Sequence, residues 1–206
     1  MATRESNVFP KPPGHPADLP TDVADLPRPI IGIIGNLARN TDWLLLRQAI
    51  GQLPEYSWVF VGSTAMSVSE EDQRLARDQL QAMGGRVRFV GEKPYHELAS
   101  YARSFDLAFL PYRKVEPTYS GSSTRFYEHL AACRPMFATR GFAELLTKVP
   151  LVHLVNDADS FVDRVRTLAE QGFVDGVEMD RWKASQKETW EARASAMREE
   201  LSLRMR

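Results

Sequence analysis

The segment YSGSSTRFYEHLAACRP, residues 119–135, concentrates residue types that bind anions. Small and hydroxyl-bearing residues, Ser120 to Thr124, run directly into apolar residues at helical spacing, Phe126, Leu130 and Cys133. A strand pattern precedes them, so the hydroxyls and first amides of the helix face outward, where they can cap it or hold phosphate. Arg125 falls in the first helical turn, beside the positive pole of the peptide dipoles, where a cation is unfavourable unless an anion opposes it. Glu128 follows three residues later on the same face. Two readings are open here. A bound anion can oppose Arg125, leaving Glu128 to accept hydrogen bonds from vicinal hydroxyls, as acids do for ribose in dinucleotide sites. Alternatively, Arg125 and Glu128 form an i,i+3 ion pair, contributing about 0.2–0.5 kcal/mol on an exposed helix. Spacing does not separate them.

The elements around this segment alternate. Short apolar runs predict strands at 30–35, 57–63, 87–91, 106–112, 135–140 and 150–155. Helical spacing fills the intervals, with helices predicted over 40–53, 69–83, 95–104, the segment after Thr124, 157–172, and one long charged helix over 178–204. This pattern implies an α/β fold: a Rossmann-like parallel sheet with helices on both faces. IIGN, FVGS and FVGE each end a strand in glycine plus a polar residue. Any one glycine reads as a tight turn; three at equivalent ends read as the floor of a crevice on the carboxyl edge, where open α/β sheets bind ligands.

Composition bounds the rest. The 206 residues suit one domain with appendages, and a net charge of -1 gives no general field for nucleic acid. The single cysteine, Cys133, allows no internal disulfide and fits a reducing compartment. No apolar run approaches the roughly 20 residues that span a bilayer, and the N-terminus lacks a signal-peptide core. The expected location is the cytoplasm, or a membrane surface as a peripheral protein. Residues 1–28 form a proline-rich lead-in, a linker or an extended arm, and 29–206 the folded domain with its long C-terminal helix.

Other features carry less. Asp157-Ala158-Asp159 reads as a helix cap with acids in the first turn rather than a metal motif. The four histidines are too scattered for metal-ligand spacing, so no metal is expected. His153 reads as a core histidine, and Trp182 and Trp190 as anchors onto a neighbouring surface. GIIGNLARN has no Gly-x-Gly-x-x-Gly spacing, which argues against a dinucleotide-binding domain.

STRFYEHLAACRPMFAT resembles the nucleotide-sugar motif of GT-B retaining glycosyltransferases of the group 1 (GT4-like) family. RPIIGIIGNLARNTDWLLLRQAIGQLPEYSWVFVGS, VRFVGEKPYHELASYARSFDLAFLPY and TWEARASAMREEL are similar to the opening, middle and closing helix of that family's donor-binding half. The resemblance covers residue 28 to the end and implies a single GT-B half-domain. It implies that Arg125 contacts a donor diphosphate and Glu128 the ribose, with Ser122, Ser123 and Thr124 at the phosphates. Gly35 and Asn36 match the turn near the diphosphate and sugar. Gly91 and Lys93, with Glu92 between them, match the loop that receives the base, and Tyr112 faces the sugar. Departures accompany these matches. Asn36 and Thr41 stand where many members carry Arg and Lys, with Arg39 as the nearest compensating charge; Ser120 replaces a glutamate, and Cys133 a glycine.

The resemblance implies a metal-independent glycosyltransferase, with no cofactor beyond its UDP- or GDP-sugar donor, acting on a saccharide or lipid-linked acceptor in polysaccharide biosynthesis. The catalytic roles fall on Arg125 and Glu128. The acceptor half, on this reading, belongs to a separate chain or to a longer gene of which this is a truncated product. The alternative is a non-catalytic nucleotide-binding or interaction module derived from such an enzyme.

Overall fold

The computed structural model describes residues 19–37, 40–65, 70–116 and 118–204. Arg39, a candidate phosphate contact, lies outside the described residues, as do the prolines up to Pro16.

Among the described residues, six parallel strands form one sheet: β1 (Ile30–Ile34), β2 (Ser57–Val61), β3 (Val87–Gly91), β4 (Leu107–Leu110), β5 (Met136–Ala138) and β6 (His153–Leu154). Their order is β3-β2-β1-β4-β5-β6, so the chain reverses direction across the sheet between β1 and β4. Each strand is followed by a crossover to the next, which makes parallel pairing possible. The helices are α1 (Trp43–Gln52), α2 (Glu71–Met83), α3 (Tyr95–Ser104), α4 (Thr124–Ala132), α5 (Ala158–Glu170), α6 (Glu178–Lys187) and α7 (Trp190–Arg204). The Rossmann-like α/β expectation is met.

The alternation of strand side chains divides the core into two faces. Ile31, Ile33, Trp58, Phe60 and Phe109 pack with α1, α2 and α5. Ile30, Ile34, Val59 and Val61 pack against Tyr101, Ala102 and Phe105 of the α3 region, and Ala108, Leu110 and Met136 against Phe126 and Leu130 of α4. Gly32 leaves room for Phe105, whose ring would lie 2.0 Å from a Cβ there. Phe126, Leu130 and Cys133 are all buried, as their helical spacing predicts.

Two elements differ most from expectation. The strand predicted over 150–155 pairs only at His153–Leu154. The helix predicted over 178–204 is two helices, α6 and α7, broken at Glu188 and Thr189. Thr189 is a residue type that starts helices by local hydrogen bonding more readily than it continues them. On α7, Met197, Leu201 and Leu203 are exposed, and the Trp190 side chain lies outside the described residues. Residues 19–28 of the proline-rich lead-in lie on the domain. Val23 and Leu26 are buried beside Tyr101 and Phe105, Arg28 pairs with Asp106 at 2.6 Å, and Asp106 also accepts from the Ile30 amide.

Candidate functional site

The carboxyl ends of β1, β2 and β3 are joined rung by rung. The Gly35 amide donates to the Val61 carbonyl and the Gly62 amide to the Gly91 carbonyl, both at 2.8 Å. Gly62 has φ +139, and a Cβ on it would stand 1.7 Å from the Gly35 carbonyl oxygen. Only glycine fits there. Gly35 and Gly62 thus lie directly against each other and floor the edge, with Gly91 at its exposed end.

Across the switch point, the loops after β1 and β4 are fastened together. Thr41 bridges Tyr112, the Asp42 amide donates to the Pro111 carbonyl at 2.8 Å, and the Arg113 amide to the Asn40 carbonyl at 2.7 Å. Asp42 then caps α1 by accepting from the Leu45 amide, while Gln73 of α2 accepts from the Trp43 amide. The Thr139 hydroxyl donates to the Tyr112 carbonyl at 2.5 Å, which ties the loop after β5 to the same edge.

Two clefts open on this edge. The first, about 140 Å³, is bordered by Gly35, Asn36, Asn40, Tyr112, Ser123 and Arg125, among others. The second, about 310 Å³, is bordered by Gly35, Asn36, Gly62, Glu92, Lys93 and Arg125, among others. Both share Gly35, Asn36 and Arg125. The Arg125 side chain lies over Gly35, its Nε 2.8 Å from where a Cβ would be. Of the matched residues, Ser122 and Thr124 also border the first cleft. Gly91 stands at the exposed end of β3 with φ +72, beside the second.

Arg125 Nη1 donates to both carboxylate oxygens of Glu128, at 2.9 and 3.2 Å. The i,i+3 ion pair is therefore formed. Burial raises the Glu128 carboxyl above its ordinary range, with the Arg125 guanidinium pulling it back. Tyr112 is partly buried; burial of its hydroxyl pushes the phenol up to about 12. His129, one turn beyond Arg125, is buried with neither ring nitrogen hydrogen-bonded. Burial pushes it down to about 3, so it is neutral and does no acid–base work near neutral pH.

Glu144, which sequence reasoning did not single out, organises the serine loop. It lies in a 3-10 turn after β5. Its Oε2 accepts from the Ser122 hydroxyl at 2.8 Å and the Ser123 amide at 2.9 Å, and its Oε1 from the Tyr127 hydroxyl. Burial pushes Glu144 up, but these hydrogen bonds outweigh it and hold the carboxyl below its usual range. Ser123 occupies the N-cap of α4, yet its side chain does not cap the helix. Its hydroxyl points to the Tyr112 hydroxyl at 3.5 Å instead. The acid that the start of α4 lacks in sequence is supplied from Glu144. Ser122 and the Ser123 amide are engaged by it, and the exposed Thr124 opens the helix on the cleft side. The signal available in sequence was an acid just past a strand end, on the edge that carries the serine loop.

The remaining features are structural. Asp157 caps α5 reciprocally with Ser160. His153 bonds Asp175 at 2.7 Å, and Asp175 also takes both terminal nitrogens of the buried Arg181. Ser120, at the position of the absent glutamate, donates to Glu116. Among the described residues, no group of three His, Cys, Asp or Glu side chains could hold a metal ion, and no helix is long and apolar enough to cross a membrane.

No family model matches the chain. A curated protein of Bacillus subtilis (strain 168), TuaH, named for glycosyl transfer in teichuronic acid biosynthesis, is 22% identical over 134 residues, 65% of this chain and 32% of its own length. Among solved structures, sucrose-phosphate synthase from Thermosynechococcus elongatus superimposes with a TM-score of 0.72 at 22% identity, over 96% of this chain and 52% of that one. Anabaena HepE in complex with UDP gives 0.68 at 16% identity, over 85% and 49%. The chain spans about half the length of these solved relatives and about a third of the curated one. The fold seen here corresponds to about half of each of these solved structures.

Proposed function

We propose that this chain is the donor-binding half of a glycosyltransferase, taking a UDP- or GDP-linked sugar in the two clefts that meet at Arg125. The observation that carries this reading is the placement of Arg125. One guanidinium borders both clefts above the glycine floor, at the switch point of the sheet, with Glu128 in contact. In this reading the diphosphate lies across Arg125 and the first amides of α4. The ribose hydroxyls engage Glu128, the base extends toward Gly91 and Lys93, and the sugar toward Asn36 and Tyr112. The UDP complex of the Anabaena neighbour supports the ligand class.

Transfer breaks the bond between the anomeric carbon and the diphosphate oxygen as an acceptor hydroxyl oxygen bonds to that carbon and releases its proton to the departing diphosphate. The acceptor, a saccharide or lipid-linked, is held by a further domain or chain. Charge builds on the departing diphosphate, and fixed donors aimed at it stabilise the transition state more than the ground state. Arg125 and the α4 amides supply those donors without calling on a metal. The second reading, a non-catalytic nucleotide-binding module, is favoured by the closed Arg125–Glu128 pair and by the uncharged Asn36 and Thr41.

A panel of nucleotide sugars, read by thermal shift, tests the proposal. A rise in Tm with one donor, lost in Arg125→Ala, is the expected result. No shift with any donor would sink it, and binding without transfer to any acceptor tried would favour the second reading.

A further inference from the structure

The wall of the second cleft is tied to the segment ahead of β1. Lys93 Nζ donates to Asp22 Oδ2 at 2.6 Å, and the Tyr101 hydroxyl reaches both oxygens of the same carboxylate at 2.7 Å. The ammonium also lies 5.6 Å from the centre of the Tyr101 ring. Asp22 is itself held in place. Arg88 donates to its carbonyl at 2.9 Å and pairs with Asp25, and the neighbouring Val23 is fully buried. The hydrogen bond from Lys93 to Asp22 raises the lysine above its usual range. Lys93 is therefore charged, and its charge is neutralised by a carboxylate from outside the strand–helix framework of the site.

We propose that Asp22 sets how strongly the second cleft takes an anionic ligand, by reserving the Lys93 ammonium in a fixed pair at the cleft wall. This rests on the nucleotide reading above. Lys93 borders the cleft directly, whereas Asp22 is not among the residues bordering it. Removing the Asp22 charge consequently leaves the cleft's shape in place and adds one uncompensated positive charge to its wall. An exposed charge acts over the Debye length, roughly 30 Å at 0.01 M salt and 8 Å at 0.15 M. The gain must therefore fade as salt rises.

The test is UDP binding by calorimetry at about 0.01 M and 0.15 M salt, for wild type, Asp22→Asn, Lys93→Met and the double variant. The expected result is that Asp22→Asn tightens UDP about fivefold or more at low salt, less at high salt, and not at all in the Lys93→Met background. Tyr101→Phe, which keeps the Asp22–Lys93 pair, should leave affinity unchanged, and thermal unfolding confirms that each variant is folded. UDP binding in wild type with equal or weaker binding in Asp22→Asn overturns this inference alone. No UDP binding in wild type or Asp22→Asn overturns the nucleotide reading and this inference with it.

Discussion

At the scale of single residues, the site is a set of carboxylates each holding a donor. Glu128 holds Arg125, Glu144 holds the serine loop, and Asp22 holds Lys93. If Glu128 takes the ribose hydroxyls, Glu128→Ala removes hydrogen bonds to a charged group, worth about 1.5–3 kcal/mol. UDP-sugar affinity should then fall at least about tenfold with the fold intact, and unchanged affinity in calorimetry would contradict the ribose contact. Gly35 makes a second test. It has φ +154, and a Cβ would stand 2.8 Å from Arg125 Nε. Gly35→Ala should cost about 1–3 kcal/mol through backbone strain and swing Arg125 off the floor. A variant that binds UDP as wild type does would show that Arg125 need not lie over Gly35. The approach of Arg125 to Gly35 was hidden from the sequence. The acid and base were visible at i,i+3, but which partner each takes is decided by what borders them.

At the scale of elements, the end of the fold that carries α6 hangs on one buried pair. Arg181 is fully buried and donates to Asp175 twice and to the Leu151 carbonyl once, which joins α6 to the chain ahead of β6. Removing one partner strands a buried charge, so Asp175→Asn should destabilise the protein by about 3–5 kcal/mol in urea unfolding. Hydrogen bonds from His153 and Arg181 outweigh burial and hold the Asp175 carboxyl well below the usual range. Because the folded-state value is depressed, its contribution is complete above the unfolded value of about 3.9 and is lost as pH falls below it. Wild-type stability should drop on acidification below about pH 4, and Asp175→Asn should show a shallower drop. Equal acid limbs would rule Asp175 out as a main contributor. Helix and strand identities were legible from apolar spacing. The break between α6 and α7 was not, because a charged, exposed helix carries little periodicity to mark its end.

At the scale of the whole molecule, the packed unit begins earlier than proline content suggests. Residues 19–28 bury Val23 and Leu26 and make ion pairs through Asp22, Asp25 and Arg28. Leu26→Ala should therefore cost about 2–4 kcal/mol, whereas the same change in a free linker would cost almost nothing. Urea midpoints compare the two directly. Docking of this segment brings Asp22 against Lys93, a residue of the second cleft's wall. Proline density reports on regular structure, since it removes amide donors and fixes φ. It does not report on burial, and two apolar side chains together with three ion pairs seat the segment.

The sequence by itself determined the alternating α/β order, the parallel sheet and the edge that carries the site. Those follow from local patterns: periods of 2 and 3.6 residues, and glycines where strands must turn. It also carried Arg125, Glu128 and the serine loop, because they are neighbours along one short segment. Only the tertiary structure decided that Arg125 borders two clefts, that Glu144 reaches back across the loops to hold Ser122 and Ser123, and that Asp22 claims Lys93. These partners are 20 to 70 residues apart in the chain, roughly. Their meeting depends on strand order across the switch point, and no local period encodes that.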